Sequence, residues 1–338
     1  MLKSPQKLKL IILLTDGIRC GIIAFLLECT GKLKGELIYI FGVERTVINI
    51  EQLRVKYGGF TALEINDPIT IEKGDRIGVI GLNGAGKSTF IKALLGLVKY
   101  SGKISTKIDS RSMAVHMQEN NYAQSMPIKY IIQAVLNTDI SNNKKLKELI
   151  DFFDFAPSLS KKFNTLSGGQ KQRLTIILVL MQNAPITFFD EITSGLDFET
   201  REILMAKIKE WYKNSGNSLC MVTHYYDELN NLTDKLLILD KGRVVAFGKT
   251  SELFEKYCGK VLIVADNNEK NSLLTKNFVQ AAAPEHLLAF SCANVDDEIR
   301  IATTLSTHNV DYKRISNDIE ILYANAMAQI KSGGLSNG

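Results

Sequence analysis

The sequence predicts an α/β fold in which a parallel sheet is organised around a phosphate-binding loop. Three observations predict it. The octapeptide Gly81-Leu82-Asn83-Gly84-Ala85-Gly86-Lys87-Ser88 has the spacing G-x-x-x-x-G-K-[ST]. A strand-like run, Arg76-Ile77-Gly78-Val79-Ile80, precedes it, and a helix-like run over 89–95 follows. Further apolar strands, at 186–189 and 218–223, end in Asp190-Glu191 and in His224. Glycines let the loop turn so that successive N–H groups face a polyphosphate, and the following helix adds its positive N-terminal end. In such a loop Lys87 reaches the β- and γ-phosphates and the Ser88 hydroxyl binds Mg²⁺, so the chain is expected to bind a nucleoside triphosphate.

Bulk properties fit this reading. A chain of 338 residues is long enough for two domains, and its 45% hydrophobic content suits a large core. A net charge of +5 permits contact with anionic partners without arguing for one. The five cysteines, Cys20, Cys29, Cys220, Cys258 and Cys292, are scattered and form no C-x-x-C pair. That speaks against a disulfide framework or zinc site and for small apolar fillers in a reducing cytoplasm.

Residues 1–46 stand apart. Residues 8–27 are strongly apolar, but Asp16 and Arg19 interrupt the run that a spanning helix needs. Glu28-Cys29-Thr30-Gly31 is a poor signal-peptide cleavage site. An interfacial helix, a packed extension and translated sequence upstream of the true start all remain open. The last is favoured, with Val43 or Val47 read from a GUG codon, and N-terminal sequencing that finds Met1 would overturn it.

From Val47 the chain alternates as strands do: Ile48, Ile50 and Leu53, then Val55-Lys56-Tyr57, then 62–65 and 69–71. Gly58-Gly59 and 72–75 supply turns, and Tyr57 lies at a turn upstream of the phosphate loop. Strands follow at 103–106 and 113–117, ending at Gln118. Amphipathic helices come next at 128–136 and 146–155. Ser167 is placed to cap a helix that begins with Gly168-Gly169-Gln170, a start bare enough to meet a phosphate. Two acids at the end of a buried strand are costly unless they bind something; a cation on Asp190 and water activation by Glu191 would compensate. His224, ending another strand of the same sheet, should face the same edge. Asp197 lies at the start of a helix whose Trp211 is expected in the core. Strands at 235–239 and 243–247 form a hairpin about Asp240-Lys241-Gly242, and a helix spans 251–257.

After residue 258 the composition shifts to a small α+β unit with its own core and no second phosphate loop. Strands are expected at 261–264, 287–290 and 298–301, helices at 273–282 and 320–330, and a disordered tail from Ser332.

Taken together, the phosphate loop, Gln118, Leu166-Ser167-Gly168-Gly169-Gln170, Asp190-Glu191, Ser194-Gly195-Leu196-Asp197 and His224 occur in an order that resembles the ATP-binding subunit of ABC transporters. The resemblance covers roughly residues 47–248. It implies an ABC-type P-loop NTPase with a RecA-like core sheet, an N-terminal antiparallel β-subdomain and a helical subdomain inserted at about 119–166. On that likeness residues 47–258 are the ATP-binding domain and 259–338 an accessory domain. ATP and Mg²⁺ are the implied ligands. Tyr57 would stack on adenine. Gly81, Asn83, Gly84, Ala85, Gly86, Lys87, Ser88 and Thr89 would hold the phosphates. Ser88, Gln118 and Asp190 would hold the metal. Gln118 would also sense the γ-phosphate and connect to a membrane partner, Glu191 would polarise the attacking water, and His224 would contact the γ-phosphate. Ser167, Gly168, Gly169, Gln170 and Asp197 would act on the nucleotide of a second ATP-binding subunit, in a homo- or heterodimer. Ile192 stands where proline is common and Gly195 where alanine is common; neither change removes a reacting group.

The unit after residue 258 resembles, by order and size, the small C-terminal domain of ATPases of ABC-2-type exporters. The reading is therefore an exporter ATPase, peripheral at the cytoplasmic face of the cell membrane through a separate permease chain, with no nucleic acid partner. The alternatives are a soluble ABC ATPase acting on ribosomes or in regulation, which the single module argues against, and an importer ATPase.

Overall fold

The computed structural model describes residues 46–116 and 122–334; the expectations for residues 1–45, for Gln118 and for 335–338 lie outside this range. In chain order the strands and helices are β1 (Thr46–Tyr57), β2 (Phe60–Ile65), β3 (Ile69–Glu72), β4 (Arg76–Ile80), α1 (Lys87–Leu94), β5 (Ser101–Thr106), β6 (Ala114–His116), α2 (Ile128–Leu136), α3 (Lys144–Phe152), α4 (Gly168–Met181), β7 (Ile186–Asp190), α5 (Phe198–Ser215), β8 (Ser218–Val222), α6 (Tyr226–Leu232), β9 (Lys235–Asp240), β10 (Arg243–Lys249) and α7 (Thr250–Cys258). Then come β11 (Val261–Asp266), α8 (Glu269–Leu274), β12 (Gln280–Ala281), β13 (Leu287–Cys292), α9 (Val295–Thr307), β14 (Tyr312–Ile315) and α10 (Ile319–Gly334).

One large sheet runs β3-β1-β2-β10-β9-β4-β8-β7-β6, with β5 paired to β1. Strands β9, β4, β8, β7 and β6 are mutually parallel, whereas β2, β3 and β5 each join β1 antiparallel. The parallel strands are apolar on both faces, as a sheet covered on both sides requires. Phe188, Cys220, Val222, Leu237 and Leu239 pack with α1 and the antiparallel strands. Their neighbours Phe189, Leu219, Met221, Leu236 and Ile238 pack with α4 on the opposite face. Helix α4 is buried without a break from Leu174 to Leu180, so it lies inside the fold rather than along its surface. Trp211 sits at the edge of the core, with the Lys145 ammonium 4.3 Å from its ring centroid. Cys220, Cys258 and Cys292 are buried free thiols, and burial pushes Cys258 up to about 12.

The C-terminal residues form a four-stranded antiparallel sheet ordered β12-β13-β11-β14. One face carries a core of its own, with Ile263, Phe290, Ile301 and Leu305. The other face, through Leu262, Val264 and Ala289, is continuous with the large core by way of α7 and α10. The side chain of Asn325 on α10 accepts the Ala282 N–H at 3.0 Å and donates to the Ala282 carbonyl at 2.7 Å, pinning the chain after β12.

Three C-terminal expectations are corrected. Residues 298–301 are helical, inside α9. Asn294 caps that helix by accepting the Asp297 N–H, Asp296, Asp297 and Glu298 suit its positive end, and Ile301 and Leu305, four apart, face the core. The helix expected over 273–282 ends at Leu274, because Gln280 and Ala281 pair with Phe290 and Ala289 at the sheet edge. Ser332 to Gly334 continue α10 rather than starting a disordered tail. Strand β14 escaped the sequence reading because three of its four residues are exposed and it is defined by pairing with β11.

Candidate functional site

Strand β4 delivers the chain into the phosphate loop, where two glycines are required. At Gly81, φ is +155° and a Cβ would lie 2.3 Å from the Leu239 carbonyl oxygen; at Gly86, φ is +102° and a Cβ would lie 2.9 Å from the Ala62 carbonyl oxygen. Gly86 is the N-cap of α1, no side chain caps that end and no acid occupies its first turn. The first amides of α1 therefore have neither a side-chain acceptor nor an opposing charge, which suits an anion. Lys87 is 6% exposed and its Nζ donates to the carbonyls of Gly81 at 2.7 Å and Leu82 at 3.2 Å. Burial lowers its pKa, and the charges of Glu191 and Asp190 act against that shift. A buried ammonium held over the loop by neutral carbonyls fits a polyphosphate.

Strands β1 and β2 bring an aromatic wall to the same place. Tyr57 and Phe60 pair across the Gly58-Gly59 turn and are 49% and 67% exposed. Both line an open cleft of about 680 Å³ together with Asn83, Gly84, Ala85, Gly86, Lys87, Ser88, Thr89, Glu191 and His224. Phe60 was not singled out from sequence; the hairpin register that sets it opposite Tyr57 is the signal that could have found it.

Because β4, β7 and β8 are parallel, their carboxyl ends share one edge. Asp190 is 7% exposed and its carboxyl faces the Ser88 hydroxyl. Burial pushes its carboxyl up, the Ser88 hydroxyl acts against this, and the Glu191 charge adds to it. Glu191 takes a left-handed backbone, φ +51°, and donates its N–H to the Val222 carbonyl at 2.9 Å. That conformation turns its side chain to His224, whose Nε2 lies 2.9 Å from Glu191 Oε1. Two oxygen ligands of this kind, a hydroxyl and a carboxylate beside a phosphate loop, fit Mg²⁺, which prefers few protein ligands and substrate phosphates.

The remaining candidates lie elsewhere. Ser167 caps α4 in a reciprocal capping box: its Oγ accepts the Gln170 N–H, and the Gln170 side chain accepts the Ser167 N–H at 3.1 Å. Ser167 and Gly168 are exposed. Asp197 is also exposed and caps α5, accepting from the Thr200 N–H at 2.9 Å and the Thr200 hydroxyl at 2.8 Å. Gly169 and Leu196 border a common small cavity, so these two groups adjoin each other and do not line the cleft.

A parallel sheet, a phosphate loop, and a hydroxyl, two acids and a histidine at one edge define a phosphate-loop nucleotide-binding domain. The comparisons narrow that class. A family model described as ABC transporter matches residues 66–194. The energy-coupling factor transporter ATP-binding protein EcfA1 of Mycoplasmopsis pulmonis is 30% identical over 227 residues, 61% of this chain and 84% of that protein. The Nod factor export ATP-binding protein I of a Rhizobium species is 28% identical over 248 residues, 69% of this chain and 81% of that protein. The methionine import ATP-binding protein MetN 2 of Acinetobacter baylyi is 30% identical over 237 residues, 65% of this chain but only 66% of its own length. A solved ATP-binding subunit of an ABC transporter has the same fold, with a TM-score of 0.57 at 24% identity over 63% of this chain and 94% of that one. The chain belongs to the family of ABC transporter ATP-binding proteins, whose shared domain is an ATPase coupled to transport.

Asp190→Asn separates stability from function at this site. A carboxyl whose folded pKa is raised contributes stability that is lost as pH rises through that pKa, so the ionised Asp190 weakens the nucleotide-free fold at neutral pH. The asparagine variant is expected to unfold at a higher temperature than the parent without nucleotide at pH 8. Its advantage should narrow as pH falls, and its stabilisation by MgATP should shrink. Thermal scans from pH 5 to 8 check both; an advantage that widens at low pH would refute the assigned cause.

Proposed function

We propose that this chain is the ATP-hydrolysing subunit of a membrane transporter, working as a dimer and held at the cytoplasmic face of the membrane by a separate permease. The observation that carries the reading is the Glu191–His224 pair, 2.9 Å apart at the mouth of a cleft lined by the phosphate loop. Tyr57 and Phe60 offer the aromatic faces for adenine. The amides from Gly81 to Thr89 and the Lys87 ammonium bind the phosphates. Ser88 and Asp190, with Gln118 as the third group proposed, would hold Mg²⁺, which would neutralise phosphate charge. Glu191 orients and deprotonates the attacking water, and His224 keeps Glu191 aimed while reaching for the γ-phosphate. Ser167-Gly168-Gly169-Gln170 and Asp197, away from this chain's own cleft and with Ser167, Gly168 and Asp197 exposed, act on the ATP of the second subunit, identical or not.

Export is the direction we favour, on the C-terminal α+β unit and the Nod factor export relative. Import is the second reading, supported by the methionine import relatives. Among the described residues no helix is long and apolar enough to cross a membrane, which suits a separate permease chain. Affinity purification from detergent-solubilised membranes tests the assignment. A stoichiometric polytopic partner with MgATP hydrolysis is expected, and its identity would report direction. Ribosomal proteins, or no membrane partner, would overturn the transporter reading.

A further inference from the structure

Glu228 lies on α6, four residues beyond His224, and is 3% exposed. Three segments of the site converge on its carboxylate. Just past the end of β8, Thr223 donates Oγ1 to Oε2 at 2.7 Å, and the same Oγ1 accepts the Tyr225 N–H at 3.1 Å, so His224 is bracketed by bonded neighbours. From the turn between Glu191 and Asp197, the Thr193 hydroxyl faces the carboxylate. From the start of α5, which Asp197 caps, Arg201 brings Nε to 3.7 Å from Oε1 and lays its guanidinium 4.1 Å from the Tyr225 ring centroid.

The joint is incompletely closed. Glu228 Oε1, Arg201 Nε and Thr193 Oγ1 are all buried without a hydrogen bond, although buried polar atoms are ordinarily paired. Three such atoms around one point leave donors within a small movement of an open acceptor. Anchoring α6 does not require this acid, because Leu229 and Leu232 on the same helix are buried at 0% and 2% exposure. We infer that Glu228 is a positioning residue for hydrolysis: it couples the turn running from Glu191 to Asp197 with the strand end that presents His224, and its closure onto Arg201 and Thr193 sets the geometry of the Glu191–His224 pair. The inference rests on the ATPase reading above.

The test uses the full chain, purified with whatever membrane partner accompanies it, and MgATP. Glu228→Gln retains volume and an oxygen for Thr223 but removes the charge that faces Arg201. Its melting temperature and KM should stay near those of the parent while kcat falls by about tenfold or more, the pattern of a contact used only in the transition state. Glu228→Asp, which restores the charge one methylene short, should recover part of that loss. In a His224→Ala background Glu228→Gln should cost far less than it does alone, because the two act as a unit. Arg201→Met gives the same kcat-specific loss and serves if the Glu228 variants do not fold. Parental kcat in Glu228→Gln, or kcat, KM and melting temperature all deteriorating together, would overturn the inference and leave the ATPase reading intact. A parent protein that neither binds nor hydrolyses ATP would overturn both.

Discussion

Glu191→Gln is expected to abolish steady-state ATP hydrolysis while leaving ATP binding in place. The replaced carboxylate sits at the end of β7, at the mouth of the cleft, with Oε1 2.9 Å from His224 Nε2. A glutamine oxygen can still accept from that histidine, and the left-handed backbone at this position, φ +51°, is no harder for glutamine than for glutamate. On the proposed function, what disappears is the base for the water proton. General-base catalysis is worth roughly 10²–10⁴ in rate, about 3–5 kcal/mol of barrier. None of the phosphate-loop groups is altered, so ATP affinity should remain close to that of the parent protein. The variant should then retain ATP in a closed, signature-to-cleft dimer, because the step that would release it is blocked. Phosphate release, ATP retention after gel filtration and the elution position of the MgATP-loaded variant check the three consequences together. Parental turnover would remove Glu191 from the role of base.

Much of this site was legible in the sequence because its chemistry is local. The spacing of the loop fixes two glycines at positive φ, the position of Lys87 and the start of α1 within eight residues. Asp190, Glu191 and His224 could be assigned to one edge because the strands before them are short and apolar on successive residues, as doubly covered parallel strands are. Phe60 and Glu228 were not legible, for different reasons. Phe60 joins the cleft through cross-strand register, which depends on how the Gly58-Gly59 turn closes. Glu228 reads as one polar position on a short helix; its burial follows from contacts with Thr193, Thr223 and Arg201 on three separate segments. The C-terminal strand expected at 298–301 failed through competition between periods. Glu298-Ile299-Arg300-Ile301 alternates like a strand, but Ile299 is 58% exposed and the buried pair is Ile301 and Leu305, at helical spacing. Alternation over four residues was outweighed by a capped first turn and an apolar contact four residues on.

Lys87→Ala is expected to fail one step earlier than Glu191→Gln, at binding. In the parent protein the ammonium has two duties. It ties down the loop by donating to the carbonyls of Gly81 and Leu82, and on the proposed function it also supplies a buried positive charge to the phosphates. Alanine removes both. Hydrogen bonds involving a charged group contribute about 1.5–3 kcal/mol, so losing one to the phosphates should weaken ATP binding by about ten- to more than a hundredfold. Lys87→Arg is not expected to rescue binding, since the site is 6% exposed and a planar guanidinium cannot occupy the volume of a compact ammonium. Equilibrium titration with a fluorescent ATP analogue, with and without Mg²⁺, separates this outcome from that of Glu191→Gln. In the lysine variant the binding isotherm itself shifts and no nucleotide-bound dimer accumulates. In the glutamine variant the isotherm holds and the dimer persists. Unchanged affinity in Lys87→Ala would mean that the cleft beside Tyr57 and Phe60 takes its ligand without the loop, and the assignment of that loop to the phosphates would fall with it.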